Sequence, residues 1–309
     1  MKMYRDVGSS GNVLATLAIG KKYLDQWESF SLKNWMFYCE RYDLGLFVLD
    51  HSIEETTGKR VDWQKLLIGS ELSNTKVKAN NICFLDVDIL INPYAPNIFD
   101  NYDEKKFAVV SQINNLPFKL IEVQERIAFF RHKYLSDKYP LDSYLFAKPN
   151  KIFELHGLKP FADYACGGMF VFNRERHAHL LNDWYYLYDE NSNYLANLGE
   201  EVYLNYHIQD YNKVQWLPYK WQALWYYEMA WNHNHLYVSD EVANKSIVRC
   251  VETSLFNNYF LHFAGAWEKF AWLESSKLFQ GIGRGVFEEF QEYARLEKSG
   301  NPVGQILPG

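Results

Sequence analysis

Residues 13–19 read Val-Leu-Ala-Thr-Leu-Ala-Ile and residues 44–50 read Leu-Gly-Leu-Phe-Val-Leu-Asp, two short apolar blocks that predict strands. Between them, over residues 23–42, Leu24, Trp27, Phe30, Leu32, Trp35, Met36 and Cys39 recur at steps of three and four, which predicts a helix with one apolar stripe. Strand, helix, strand is a βαβ unit, and its two strands run parallel. A second helical stretch over 62–72 leads into residues 81–86, Asn-Ile-Cys-Phe-Leu-Asp, whose unbroken apolar run suits a strand buried on both faces. Residues 168–173 predict a further strand that enters a helix near Arg174, and 199–207 predict another helix. Residues 101–160, aromatic, charged and punctuated by proline, read as mixed helix and loop over the mouth of a site. The last helix is expected over 286–297, where Phe287, Phe290 and Leu296 fall at helical spacing, followed by a Gly/Pro-rich tail.

No repeat and no linker divides the chain, so the expectation is one α/β domain with a mostly parallel central sheet flanked by helices. Residues 1–270 form its body, and 271–309 are a C-terminal helix and tail.

The 309 residues are enough for a substantial core, and 48% hydrophobic with 23% charged residues excludes bulk disorder. Acids outnumber Lys and Arg by 38 to 32, a net charge of −6 that offers no field to a polyanion and argues against nucleic acid as a partner. Cys39, Cys83, Cys166 and Cys250 stand far apart with no CxxC pair, which suggests neither a zinc knuckle nor a disulfide framework and fits a reducing, cytoplasmic setting. No apolar run approaches the ~20 residues of a membrane-spanning helix, so contact with a membrane would be peripheral. Aromatic residues reach 17%, and such rings stack on bases and on sugar faces as well as filling cores.

The sharpest local feature is Phe84-Leu85-Asp86-Val87-Asp88-Ile89-Leu90. Two carboxylates bracketed by apolar residues at a strand end are costly unless a cation or hydrogen bonds compensate them. Hard oxygen ligands suit Mg²⁺ or Mn²⁺, and such an ion neutralises a diphosphate. A DxD tripeptide alone is a weak signal; its place after a buried strand, where open α/β sheets bind ligands, points to function.

From here the chain resembles metal-dependent glycosyltransferases of the Rossmann-like GT-A fold, especially those like family 8, in several separated blocks. Cys166-Gly167-Gly168-Met169-Phe170-Val171-Phe172-Asn173 resembles the family's N-[SA]-G-[VM] strand, with Cys166 in place of Asn. Glu200-Glu201-Val202-Tyr203-Leu204-Asn205 is similar to D-Q-x-x-L-N, and Leu217-Pro218-Tyr219-Lys220-Trp221-Gln222 to L-P-x-x-[WY]-N. Leu261-His262-Phe263-Ala264-Gly265-Ala266-Trp267-Glu268-Lys269 resembles the closing H-x-x-G-x-x-K, with one extra residue before the Lys.

The resemblance implies a nucleoside diphosphate sugar as donor, a glycan hydroxyl as acceptor and Mn²⁺ or Mg²⁺ held by Asp86, Asp88 and His262. It gives Thr16, Ala18, Asp50, Asp86, Gly167, Gly168, Gln222, Gly265 and Lys269 to the donor. Glu200 and Glu201 would orient donor hydroxyls or act as a general base, with Asp163 a third catalytic candidate, and Trp221, Trp225 and Tyr226 would form an acceptor platform. Plainer roles stand beside these: Glu200 and Glu201 as acids at a positive helix end, Asp50 as a turn acid, the tryptophans as core.

Two other classes share some of these features. A sugar-nucleotide nucleotidyltransferase would need a basic, glycine-rich N-terminal loop, of which Gly8-Ser9-Ser10-Gly11 is a faint echo. A carbohydrate-binding protein would use the aromatics and a structural calcium without turning over a donor. Gly281-Ile282-Gly283-Arg284-Gly285 lacks both the strand and the spacing of a dinucleotide fingerprint.

Overall fold

The computed structural model describes residues 1–75, 77–135, 144–189, 199–237, 244–265, 270, 272–275 and 278. Its strands are β1 (Lys2–Arg5), β2 (Asn12–Leu17), β3 (Gly45–Leu49), β4 (Asn81–Leu85), β5 (Ile89–Ile91), β6 (Phe107–Ser111), β7 (Ala165–Asn173), β8 (Val214–Leu217), β9 (Ala223–Leu224) and β10 (Phe260–His262). Seven of them form a central sheet in the order β1-β3-β2-β4-β7-β6-β8, and β5-β10-β9 form a small second sheet.

The expected parallel core is present where β2 pairs with β3 and β4. The rest of the sheet is mixed: β7 runs antiparallel to both β4 and β6, β1 runs antiparallel to β3, and β6 pairs in parallel with β8. The reversal at β7 has a consequence for the site. Leu85 at the end of β4 faces Met169 midway along β7, so Gly168 lies beside Asp86. A parallel β7 would carry those glycines to the opposite end of the sheet.

Strands β3, β4 and β7 are buried along their whole length and β2 along all but its two ends, and their residues sort by parity into two layers. Val13, Ala15, Ile82, Phe84, Phe170 and Phe172 face one core with Trp63, Leu66, Leu181 and Trp184. Leu14, Leu46, Val48, Cys83, Leu85, Met169 and Val171 face the other with Trp27, Trp35 and Tyr38. This is the period-2 alternation of a strand with both faces covered, which is why the run reads as continuously apolar in sequence. Helices 61–73, Arg174–Leu187 and Glu201–Asp210 cover the first face, and the helical stretch 21–42 covers the second. A third core gathers round β9, β10 and the helix Trp225–Asn232.

Residues 101–160 hold more order than their sequence suggests, including β6 and the helix Leu120–Leu135. The expected helix at 286–297, and with it most of the 271–309 tail, lies outside the described residues.

Candidate active site

The turn Asp86-Val87-Asp88 joins β4 to β5 and is held from three sides. From the helical stretch above, just at and after a π-helical turn over Glu28–Leu32, Ser31 donates to the carbonyls of Val87 (2.9 Å) and Ile89 (3.1 Å). Asn34 exchanges two hydrogen bonds with the backbone of Ile91 (2.7 and 2.6 Å), and the Trp35 indole donates to Ile89 O at 2.8 Å. From the sheet, Asp86 N donates to Gly168 O at 2.8 Å. From the far end of the chain, His262 sits opposite Ile89 in the β5–β10 pairing, and Phe263 N donates to Asp88 O at 3.0 Å. Polar side chains on the helix thus do what sequence periodicity alone left unassigned: they fix the carboxylate turn.

The pairing brings His262 Nε2 to 3.2 Å from Asp88 Oδ1 and 3.7 Å from Asp86 Oδ2. One atom from each of the three residues lies within 4.8 Å of the others. Cis ligands on an octahedral ion with bonds of ~2.1 Å stand ~3 Å apart, so two carboxylates and one imidazole at this spacing fit a hard divalent cation. Burial opposes a charge on His262, but Asp88 outweighs it and holds the imidazole well above its ordinary range.

The other imidazole nitrogen is also fixed. With the Gln222 amide oriented to satisfy both of its ends, its oxygen accepts from His262 Nδ1 (3.1 Å) and Met169 N (3.0 Å), and its nitrogen donates to Cys166 O (3.2 Å). That leaves Nε2 facing the two aspartates, where a bound cation would take the place of its proton, the arrangement by which an outer carbonyl orients a metal-binding histidine. The Cys166 sulfur stands 3.6 Å from the same Nδ1. Gly168 is required by close approach: a Cβ there would lie 2.3 Å from His262 Cε1 and 2.7 Å from Asp86 Oδ2.

These groups border a cavity of about 260 Å³ that Asp62, Lys65, Glu200, Glu201 and Gly265 also line. Lys65, buried, reaches Glu200 Oε1 at 2.8 Å, Gly167 O at 3.3 Å and Asp86 Oδ1 at 3.5 Å. Burial opposes its charge, and Asp86 and Glu200 overcome that and hold the ammonium above its usual range. Burial pushes the Glu200 carboxyl up to about 8, against the pull of Lys65. Neither glutamate caps its helix with its side chain; Glu201 instead accepts from Gly167 N at 2.7 Å, tying the helix start to the glycine strand. Asn205, one turn on, pairs with both backbone groups of Ala165 at 2.6 and 2.9 Å.

Several expected site residues fall elsewhere. Asp163 accepts from the Ser111 hydroxyl and from Tyr164 N (2.8 Å), joining the ends of β6 and β7 away from the cavity wall. Asp50 is paired with the Met1 ammonium (3.2 Å) and His51 (2.8 Å). Thr16 and Ala18 are buried, and Leu17 between them is the residue of that segment that lines the cavity.

Trp221 packs edge-on to Phe260 and against Tyr259, and Trp225 is fully buried between His233, Phe263 and Phe270; both are core residues, because each ring has aromatic neighbours where an acceptor would need open space. Tyr226, half-buried, packs against Tyr227 in the same cluster. Gln222 reaches the site through His262 and is itself fully buried. Lys269 lies outside the described residues. Sequence reasoning passed over Lys65 and Asp62, although a single cation amid Trp63, Leu66 and Leu67 on a buried face was a usable sign.

Comparison with known proteins gives no matching family model and no matching curated relative. Solved structures do align over most of the chain. One is a glycosyltransferase involved in glycosylation of the major capsid of PBCV-1, at 9% identity, covering 92% of this chain and 98% of that one with a TM-score of 0.47. Another is the galactosyltransferase LgtC in complex with donor and acceptor sugar analogs, at 11% identity, 92% and 95% coverage and a TM-score of 0.43. A third is mouse xyloside xylosyltransferase 1, at 12% identity, 82% and 98% coverage and a TM-score of 0.39.

Proposed function

We propose that this chain is a divalent-metal-dependent glycosyltransferase of the GT-A type, moving a sugar from a nucleoside diphosphate sugar to a hydroxyl of an acceptor glycan. The observation that carries this is the meeting of Asp86, Asp88 and His262 within 4.8 Å, from a turn and a strand more than 170 residues apart in sequence, on the wall of a polar cavity. A divalent ion there, Mn²⁺ or Mg²⁺, would neutralise the diphosphate as the leaving group takes up charge.

The chain's own residues supply the rest. Gln222 presents Nε2 of His262, and Lys65 adds a fixed positive charge beside Asp86. Glu201 is committed to the Gly167 backbone and Glu200 Oε1 to Lys65, which leaves Glu200 Oε2 as the unpartnered atom that would orient a hydroxyl or exchange a proton with it; a carboxyl lifted toward neutrality suits either task. Gly265, at φ 67 with open space where a Cβ would stand, borders the cavity where a phosphate could approach the backbone.

The nucleotidyltransferase reading loses its main support. In Gly8–Gly11, Ser9 is hydrogen-bonded to Asp43 at 2.9 Å, a Cβ on Gly8 would collide with the same residue, and Gly11 O accepts from Asn80 N, so this segment lies at the start of the parallel strands, the end opposite Asp86. Among the described residues no helix is long and apolar enough to cross a membrane.

Incubation with UDP- and GDP-sugars is the test. Release of the nucleoside diphosphate that depends on Mn²⁺ or Mg²⁺, and disappears in Asp88→Ala, is the expected result. Release by a folded Asp88→Ala variant at the native rate, or none with any donor, would overturn the assignment, and the latter would favour a carbohydrate-binding protein.

A further inference from the structure

We propose that the cavity accepts a neutral sugar, bearing free hydroxyls and no carboxylate, and that Asp62 is the residue that enforces this choice; the proposal rests on the transferase reading above. Asp62 stands in the first turn of the 3-10 helix Val61–Leu67 and lines the same cavity as the metal-binding group. Arg60 occupies its Oδ2, and its Oδ1 is buried with no hydrogen-bond partner. Glu200, only 2% exposed, shows the same pattern: Oε1 is taken by Lys65 and Oε2 has no partner.

Two buried carboxyl oxygens without partners are unfavourable, and hydroxyl groups relieve them. A sugar ring is a frame of such donors. The backbone has been shaped to admit Asp62 here: Gly199 has φ 56, and a Cβ on it would lie 2.6 Å from Asp62 Oδ2. Any other residue at position 199 would meet the carboxylate.

Unmatched acceptors decide the class of sugar. Asp62, Asp86, Asp88, Glu200 and Glu201 all line the cavity, and the nearby cations are already engaged, Arg60 with Asp62 Oδ2 and Lys65 with Glu200 Oε1. Asp62 Oδ1 is left without a donor. A sugar hydroxyl supplies that donor, whereas the carboxylate of a uronic acid brings acceptors alone and leaves the aspartate oxygen unmatched. At about 260 Å³ the cavity suits one ring better than a chain of them.

Titration calorimetry on the full chain with Mn²⁺ tests this. UDP and GDP are titrated alone; the one that binds then defines a pair of donors on that nucleotide, a neutral hexose and its uronic acid. The neutral donor should bind about tenfold tighter or more, and Asp62→Asn should shrink that ratio to roughly threefold or less, with Asp62→Ser doing the same. Thermal melting of each variant reports its folding, and Asp62→Ser serves if Asp62→Asn melts early. Equal binding of the two donors, or a ratio unchanged in a folded Asp62 variant, would overturn the proposal while Mn²⁺-dependent binding of the bare nucleotide kept the transferase reading intact. If neither bare nucleotide bound with Mn²⁺, the transferase reading would fall and this proposal with it.

Discussion

The chain buries a glutamate and a histidine in each of two places, and the two are built on opposite principles. In the third core, Glu228 accepts hydrogen bonds from Tyr219 Oη (3.1 Å), Asn232 Nδ2 (3.0 Å) and Ser254 Oγ (3.3 Å), and His233 stands 2.9 Å from the same serine hydroxyl. Every acid oxygen there has a neutral donor, and burial lowers His233 to about 4. In the cavity, acids crowd against acids, Glu200 Oε2 and Asp62 Oδ1 go unpartnered, and Asp88 drives His262 the other way, well above its usual range. A closed network of neutral donors stabilises a fold; an excess of unmatched acceptors stores a demand that a cation and a ligand can meet. The two clusters have similar residues, so the difference lies in their partners.

The comparison can be broken most forcefully at Asp88. Asp88→Ala should cost several kcal/mol of transition-state stabilisation, on the order of a thousandfold in metal-dependent donor turnover, while its melting temperature changes little, because relief of the repulsion with Asp86 offsets the lost pairing with His262; steady-state kinetics beside thermal melting checks both. Glu228→Ala should do the reverse. Stripping three donors of their acceptor should cost about 3 kcal/mol in urea unfolding, with Mn²⁺ binding by the folded protein unchanged.

The histidine of the closed network makes stability depend on pH. Its folded value near 4 lies below the ordinary 6.5, so the unfolded chain binds the extra proton between those limits. His233 therefore contributes its full stability above pH 6.5 and loses it as pH falls toward 4, on the order of 2 kcal/mol, and His233→Gln should reduce the slope of the urea midpoint over that window, the remainder coming from His177 and His207, which burial also lowers to about 4. The smallest effect expected is at Gln222. Gln222→Ala frees His262 Nδ1 and should weaken Mn²⁺ binding roughly tenfold in calorimetry without a change in ligand set; an unchanged affinity would remove Gln222 from the positioning role.

Much of the fold was legible before the structure because burial on two faces leaves a plain trace. The runs that became β2, β3, β4 and β7 read as unbroken apolar blocks, and the helices before and after them read by their stripes. Where the trace is weaker the reading failed: β8 is only half-buried along its four residues, and β6 was lost among charged and aromatic neighbours. The direction of β7 was not legible either, since apolar content says nothing of which neighbour a strand will pair with.

For the site, the sequence by itself determined its chemical alphabet: two aspartates at a strand end, a histidine on an apolar strand, paired glycines and paired glutamates. Their roles came from the tertiary structure. Only the antiparallel entry of β7 and the β5–β10 pairing bring Gly168 and His262 against Asp86 and Asp88, and only packing shows that Trp225 is core and that Lys65 belongs to the cavity. The reason is physical. Local pattern records what each residue must do with water, a property it carries alone, whereas a binding site is made of distances between residues far apart in the chain, and those are set by how strands pair and which way they run.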